Sequence, residues 1–215
     1  MQRNKGYFIT LEGGEGTGKT TQQMLLAEYL TSRGYKVLAT RHPGGTQVGE
    51  KLRQLVKFAQ EKISSKVEIL IFDAARAQLV ERVIAPFLSQ GSKSIVLCDR
   101  FADSTLAYQG YVGGLDLDRV RALNAFVVEN CTPDITFLLD LPAEIGLERA
   151  GRRPKESENP DRVETGSLDL HKRVREGYLG IARLEPKRIE VIDARPDARI
   201  IHNYILGRLH ERLKL

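Results

Sequence analysis

The stretch Gly13-Gly14-Glu15-Gly16-Thr17-Gly18-Lys19-Thr20 most narrows what this chain can fold into. The apolar run Tyr7-Phe8-Ile9-Thr10-Leu11 before it predicts a buried strand, and Thr21 to Leu30 after it carries apolar residues at helical spacing. The stretch is therefore a strand-to-helix turn. A glycine, four residues, then Gly18-Lys19-Thr20 is the spacing of a phosphate-binding loop. Glycines let the backbone curl until its N–H groups converge, the helix N-terminus adds a partial positive charge, and Lys19, expected to pack against nothing, adds a mobile full charge. That site fits a polyphosphate, and Thr20 can offer its hydroxyl to the Mg2+ that travels with a nucleoside triphosphate. A plain Gly-rich turn with an exposed lysine is the alternative, and both flanks weigh against it.

A chain of 215 residues with 41% hydrophobic residues has enough apolar material for a real core and fits one domain, 1–215. The formal charge of +5 suits nucleic acid, an acidic membrane or small phosphorylated ligands. Basic residues are scattered, however, without a long block or interleaved aromatics, so a phosphate-lined pocket explains the surplus better than a nucleic-acid groove. The expected partners are small molecules, with no nucleic acid and no membrane. Nothing approaches the run of about 18 apolar residues that a membrane span needs, and Met1 to Lys5 leave no room for a signal peptide. Cys98 and Cys131 have no metal-binding spacing and read as reduced thiols of a cytoplasmic protein, and the four histidines are too scattered to suggest zinc.

Along the chain, Val37-Leu38-Ala39-Thr40 is predicted as a second strand, and its end leads into the turn-rich Arg41-His42-Pro43-Gly44-Gly45-Thr46. Ligands of open parallel sheets bind beyond the carboxyl ends of the strands, which places Arg41 where an anion would lie, unless it is simply a solvated loop charge. Ser65-Lys66-Val67-Glu68 has capping-box spacing and predicts one long helix to about Leu88. Phe72 and Arg76 share a face of it, able to stack on a base and bond its edge, or else to be plain core and plain surface. Ser94 to Cys98 predicts a strand ending in Asp99-Arg100-Phe101, where an acidic residue completes a Mg2+ nucleotide site.

A donor-rich piece, Ala102 to Gly110, precedes an amphipathic helix from about Leu117 to Asn130 and a strand over Ile135–Leu139. A helix from Ala143 to about Arg149 then gives way to Gly151–Arg162, which has no apolar residue and cannot be buried. It reads as a surface loop or a lid, and its arginines favour a closing lid at about 150–163. A helix over Leu168–Leu184, a strand over Ile189–Ile192 and a helix from Asp197 to Leu213 complete the chain. Five strand candidates alternating with helices predict an α/β three-layer fold around a parallel sheet.

Together these motifs resemble the thymidylate kinase family, P-loop kinases of a nucleoside monophosphate. The resemblance spans nearly the whole chain: Leu11-Glu12-Gly13, Arg41 to Thr46, Phe72-Asp73-Ala74-Ala75-Arg76, Asp99-Arg100-Phe101 with Ser104-Thr105 and Ala107-Tyr108-Gln109, and Asp161-Arg162-Val163-Glu164. It implies transfer of the γ-phosphoryl of ATP to dTMP, with Mg2+ as cofactor, in a homodimer. By the same resemblance, Gly13, Gly14, Glu15, Gly16, Thr17, Gly18 and Lys19 would hold ATP, with Arg149 near adenine and Thr20 and Asp99 around Mg2+. Glu15 would contact the sugar 3′-hydroxyl of dTMP, Arg41 and Arg100 its phosphate, and Phe72 would stack on thymine. Arg76, Ser104 and Thr105 would read the base edge, and Tyr108 would fill the space of a ribose 2′-hydroxyl.

Two positions depart from the family pattern. Eukaryotic members carry an arginine in the phosphate loop where this chain has Gly16; the bacterial form supplies that charge from the lid, where Arg152 and Arg153 are available. His42 stands where many bacterial members have glutamate. A regulatory GTPase would need an Asn-Lys-x-Asp stretch, which is missing, and the remaining competitor is another small-molecule kinase, for guanylate or a deoxynucleoside.

Overall fold

The structure is a computed structural model and describes residues 5–61, 63–152 and 166–215. β1 (Tyr7–Glu12) passes through the glycine turn into α1 (Lys19–Ser32), followed by β2 (Lys36–Arg41), α2 (Gln47–Lys57) and α3 (Ser65–Leu79). A π-helical stretch, Val80–Ile84, joins α3 to α4 (Ala85–Leu88), and β3 (Ser94–Asp99) follows. Then come α5 (Ala102–Thr105), a second π-helical stretch (Leu106–Val112), α6 (Leu117–Val128), β4 (Ile135–Asp140), α7 (Ala143–Gly151), α8 (Leu168–Leu184), β5 (Ile189–Asp193) and α9 (Ala198–Leu213).

The strands form one parallel sheet in the order β2-β3-β1-β4-β5, as the five apolar runs predict. Their period-2 alternation divides the core between two faces. Ile9 and Leu11, with Ile95, Leu97, Phe137 and Leu139, meet Leu26 and Leu30 of α1 and Ile201, Ile205 and Leu209 of α9. Phe8, Val96 and Cys98 face Leu79, Ile84 and Leu88, while Leu138 and Ile189 face Val174, Tyr178 and Ile181 of α8. The connection after β1 therefore leaves toward one face and that after β3 toward the other, which opens a crevice at their carboxyl ends.

The sequence expectation needs one addition and two corrections. Residues 47–57 form α2, with the Thr46 hydroxyl accepting from the Gly49 N–H at 2.9 Å as its cap. The cap of α3 is Ser64, which accepts from the Val67 N–H; Ser65 is already helical, so the capping box is not formed, and Glu68 instead accepts from Gln109. The single helix expected to Leu88 is interrupted by its π-helical stretch just before Pro86, a residue that has no N–H to give and whose ring crowds the preceding turn.

Candidate active site

The glycine turn is built on positive φ angles at Gly13, Gly16 and Gly18 (138°, 67° and 90°), which an L side chain rarely adopts. Gly16 is constrained further by α7: a Cβ there would fall 2.0 Å from the Gly146 carbonyl oxygen, and one on Gly146 would fall 2.3 Å from that of Glu15. Loop and helix thus touch backbone to backbone, and no arginine fits at position 16. Lys19 is not free of packing as expected. It is buried, and its Nζ donates to the carbonyls of Gly14 at 2.7 Å and Gly13 at 3.2 Å. Burial, reinforced by the Arg100 charge, brings its pKa down to about 8. The Thr17 hydroxyl ties back to the Gly14 carbonyl at 3.2 Å.

β1 and β3 are paired with Leu11 opposite Asp99, so the loops after them are neighbours. Thr20 Oγ1 donates to Asp99 Oδ2 at 2.7 Å, joining the start of α1 to the end of β3. Arg100 has φ 65°, a conformation that costs a non-glycine residue about 1–3 kcal/mol and persists only where surroundings enforce it. Its N–H is held by the Leu11 carbonyl at 2.9 Å, and its guanidinium pairs with Glu15 at 2.6 Å and bonds the Gly13 carbonyl at 2.9 Å. The expected Glu15, Arg100, Thr20 and Asp99 are therefore assembled around the loop.

Phe72 is half-buried on α3, and Arg76, one turn on, is completely buried. The reading of Arg76 as plain surface is excluded. Its guanidinium bonds Asp73, Thr105 and, at 2.6 Å, the Asn124 Oδ1, and lies 5.6 Å over the Phe101 ring, while its Nε–H has no partner. His42 sits behind this pair, its Nε2 2.9 Å from the Phe72 carbonyl and its ring edge-on to Phe72 and Phe101. Burial, then the Arg76 charge, hold His42 well below the ordinary imidazole pKa, so it is a neutral prop for the aromatic wall. The Tyr108 hydroxyl is buried, its pKa pushed up by burial to about 12, and the Arg100 guanidinium lies 5.4 Å over its ring and opposes that shift. The Ser104 hydroxyl is engaged with Glu12 and Tyr178, each at 2.7 Å, rather than standing open toward the crevice.

The remaining arginines lie farther out. Arg41 is exposed and paired with Glu50 of α2 at 3.1 Å, and the same carboxylate accepts from the Gly45 N–H at 3.0 Å. Arg149 donates to the carbonyls of Ala194 and Arg195 at 2.8 and 2.9 Å, bracing the turn after β5. Arg152 caps α7 and is paired with Glu148. Arg153 and most of the expected lid, residues 153–163, lie outside the described residues.

Several residues of the site were given no role in the sequence. Glu12, at the end of β1, is fully buried and accepts from the Phe101 N–H, Ser104 and Tyr178. An acidic residue closing a buried strand was its available signal. Asn124 interrupts the apolar Val120–Val128 face of α6, a legible irregularity. Arg188 holds Asp103 through two 2.7 Å bonds from a position just before β5, and nothing in the local sequence marks it.

Comparison with known proteins places the chain among a single group of relatives. The family described as Thymidylate kinase matches residues 11–205. A thymidylate kinase of Syntrophotalea carbinolica is 50% identical over 191 residues, covering 87% of this chain and 88% of that protein. One of Pelobacter propionicus is 45% identical over 207 residues, 95% of this chain and 94% of its own length. The crystal structure of thymidylate kinase from Ehrlichia chaffeensis superposes with a TM-score of 0.76 at 38% identity, covering 95% of this chain and 98% of that one.

Proposed function

This chain belongs to the thymidylate kinase family, and on that premise we propose how its residues divide the work. It is an ATP-dependent nucleoside monophosphate kinase that moves the γ-phosphoryl of ATP to dTMP, giving dTDP and ADP. We read residues 1–215 as one kinase domain. The single observation that carries the assignment of roles is the pairing of Arg100 with Glu15 across the phosphate loop, which brings a phosphate-seeking cation and a sugar-seeking carboxylate to one point beside Lys19.

In this reading ATP lies over Gly13 to Lys19, with adenine beside Arg149. Lys19 leaves the loop carbonyls for the polyphosphate, whose charge favours its ammonium form. The acceptor dTMP lies between Phe72, which stacks on thymine, and Tyr108, which fills the space of a 2′-hydroxyl. Arg76, with Thr105 and Ser104, would read the base edge; among the described residues its buried Nε–H has no partner. Arg100, with Arg41 once released from Glu50, holds the dTMP phosphate. Phosphoryl transfer needs chiefly positioning and neutralisation of charge, which these residues supply.

Mg2+ fits at Thr20 and Asp99, two hard oxygen donors in contact beside the loop. A site with so few protein ligands suits this ion, which keeps waters and substrate phosphates in its shell. When bound it would neutralise charge on the transferred phosphoryl group. A homodimer is supported by Leu70 of α3 and Phe126 of α6, strongly exposed on helices packed side by side. A cytoplasmic enzyme is consistent with the fact that no helix among the described residues is long and apolar enough to cross a membrane.

The test is phosphoryl transfer from ATP with dTMP, dUMP, dGMP and thymidine measured side by side. Preference for dTMP by kcat/KM is expected; preference for dGMP or thymidine would overturn the proposed roles of Phe72, Arg76 and Tyr108.

A further inference from the structure

Three oxygens meet behind the phosphate loop. Glu12 Oε2 lies 2.7 Å from Ser104 Oγ and 2.9 Å from the Tyr178 hydroxyl, and those two hydroxyls are 2.7 Å apart. Each separation is a hydrogen-bond distance, so three contacts need three protons. The hydroxyls own two. The Arg100 guanidinium does not supply the third, because its 3.1 Å bond to the Tyr178 oxygen lies outside the triangle. The other Glu12 oxygen, among the described residues, accepts only the Phe101 N–H, at 2.7 Å.

We propose that Glu12 is a protonated, neutral carboxylic acid whose proton closes this ring and that it acts as a positioning residue for Arg100. With the proton on Oε2, that oxygen donates to Ser104, Ser104 donates to Tyr178, and Tyr178 donates back to Oε2, or the circuit runs in the opposite sense. No proton is missing in either direction. Its bonded partners are all neutral donors and its side chain is fully buried, conditions under which an ionised carboxylate is strongly disfavoured. Burial first, and repulsion from Asp103 of α5 second, raise the Glu12 pKa above its ordinary value.

The charged and titratable groups around it are Arg100 and Cys98 from β3 and its loop, Asp103, Lys19 of α1, Arg76 of α3, and Tyr108 and Tyr178 from the helical pieces packed there. Arg100, Lys19 and Arg76 favour ionisation, but none of them bonds the carboxyl group. The neutral acid has a use here. A negative charge behind the loop would compete with substrate phosphates for Lys19 and Arg100. A neutral one can still fix the Phe101 amide and, through Tyr178, the Arg100 guanidinium, holding Arg100 in its left-handed conformation. This second half rests on the phosphate-binding role proposed for Arg100; the proton does not.

The test compares the full-length parent with Glu12→Gln, whose amide imitates a neutral acid, and Glu12→Ala. Infrared difference spectra of parent minus Glu12→Gln near neutral pH should contain the carbonyl band of a protonated carboxylic acid. Because folding that raises this pKa takes up a proton, urea stability of the parent should fall relative to Glu12→Gln as pH rises from the ordinary glutamate value of 4.5 toward the raised one. No such band, or parallel stability curves, would overturn the protonated acid. In kinetics, Glu12→Gln should retain at least tenfold more kcat/KM for dTMP than Glu12→Ala. Equal losses in both, with the band present, would keep the proton and remove the positioning role.

Discussion

Thr20 Oγ1 and Asp99 Oδ2 are 2.7 Å apart, so the first turn of α1 and the last residue of β3 share a proton at the mouth of the phosphate loop. Asp99→Asn keeps an acceptor for Thr20 but removes the charge. If this pair holds Mg2+, the substitution removes a charged donor and should lower metal affinity or activity by at least the roughly 10–100-fold that loss of a supporting outer partner alone costs. The check is initial rate against Mg2+ concentration, beside equilibrium binding of dTMP, which should change little. An unaltered Mg2+ requirement would move the metal elsewhere.

Lys19 predicts a pH dependence. In the free loop burial brings its pKa down to about 8, below the ordinary lysine value of 10.5, so above about 8 the neutral amine predominates. A bound polyphosphate favours the ammonium, so binding there must take up a proton and the affinity for ATP must fall as pH rises. Calorimetric titration at about pH 9 in two buffers of different ionisation enthalpy should reveal that uptake, and Lys19→Met should abolish it. Constant affinity and no proton uptake across this range would contradict the assignment.

Asn124→Ala should destabilise the fold. Asn124 accepts from Arg76 at 2.6 Å and donates to the Ala102 carbonyl at 3.1 Å; truncation strands a buried guanidinium N–H, while the Ala102 carbonyl keeps the Leu106 N–H. A loss of about 1–3 kcal/mol is expected for such a stranded group. Urea unfolding gives the value directly; a loss near zero would mean that water enters to replace the amide.

Tyr108 should set sugar preference. Its ring is pinned between Arg100 and Tyr178, with centroids of the two tyrosines 6.3 Å apart, and it has little room to yield. Tyr108→Ala should relax discrimination against ribothymidine monophosphate by roughly 10–200-fold, the worth of one small steric group. The ratio of kcat/KM for the two sugars measures it, and an unchanged ratio would place Tyr108 away from the sugar.

The lid arginines make the sharpest kinetic claim. Gly16 leaves the loop without a guanidinium, and Arg152 is exposed at the end of α7, at the root of the proposed lid, and paired with Glu148 among the described residues. An arginine delivered on closure is worth about 10³–10⁵ in related phosphoryl transfers, so Arg152→Ala with Arg153→Ala should lower kcat by on the order of 10² or more. The affinity for dTMP should be nearly retained. A double variant with normal kcat, or with dTMP affinity lost in proportion, would locate the stabilising charge elsewhere.

The sheet and the loop were legible because both are written locally: five apolar runs, and a glycine pattern whose geometry follows from φ angles that other residues avoid. The contacts of the site were less so. Arg76 reads in sequence as either face of a helix, and only the arrival of Asn124 from α6 and Thr105 from α5 explains how a guanidinium can be fully buried. Lys19 was misjudged because the curled loop turns its own carbonyls toward the ammonium. The departure at His42 makes sense only beside Phe72 and Phe101, two segments distant in the chain.

The contact between Gly16 and Gly146 also bears on how such an enzyme can change over time. A guanidinium carried by the loop needs room where the α7 backbone now lies, whereas one carried by the lid needs α7 seated close against the loop as its root. The two solutions exclude each other in space. A lineage moving from one to the other would have to withdraw a helix and fill a turn together, since a side chain at position 16 alone collides with Gly146 and a displaced α7 alone carries Arg152 away. If the lid supplies the charge, as proposed, two glycines with no side chain act as a historical lock on its source.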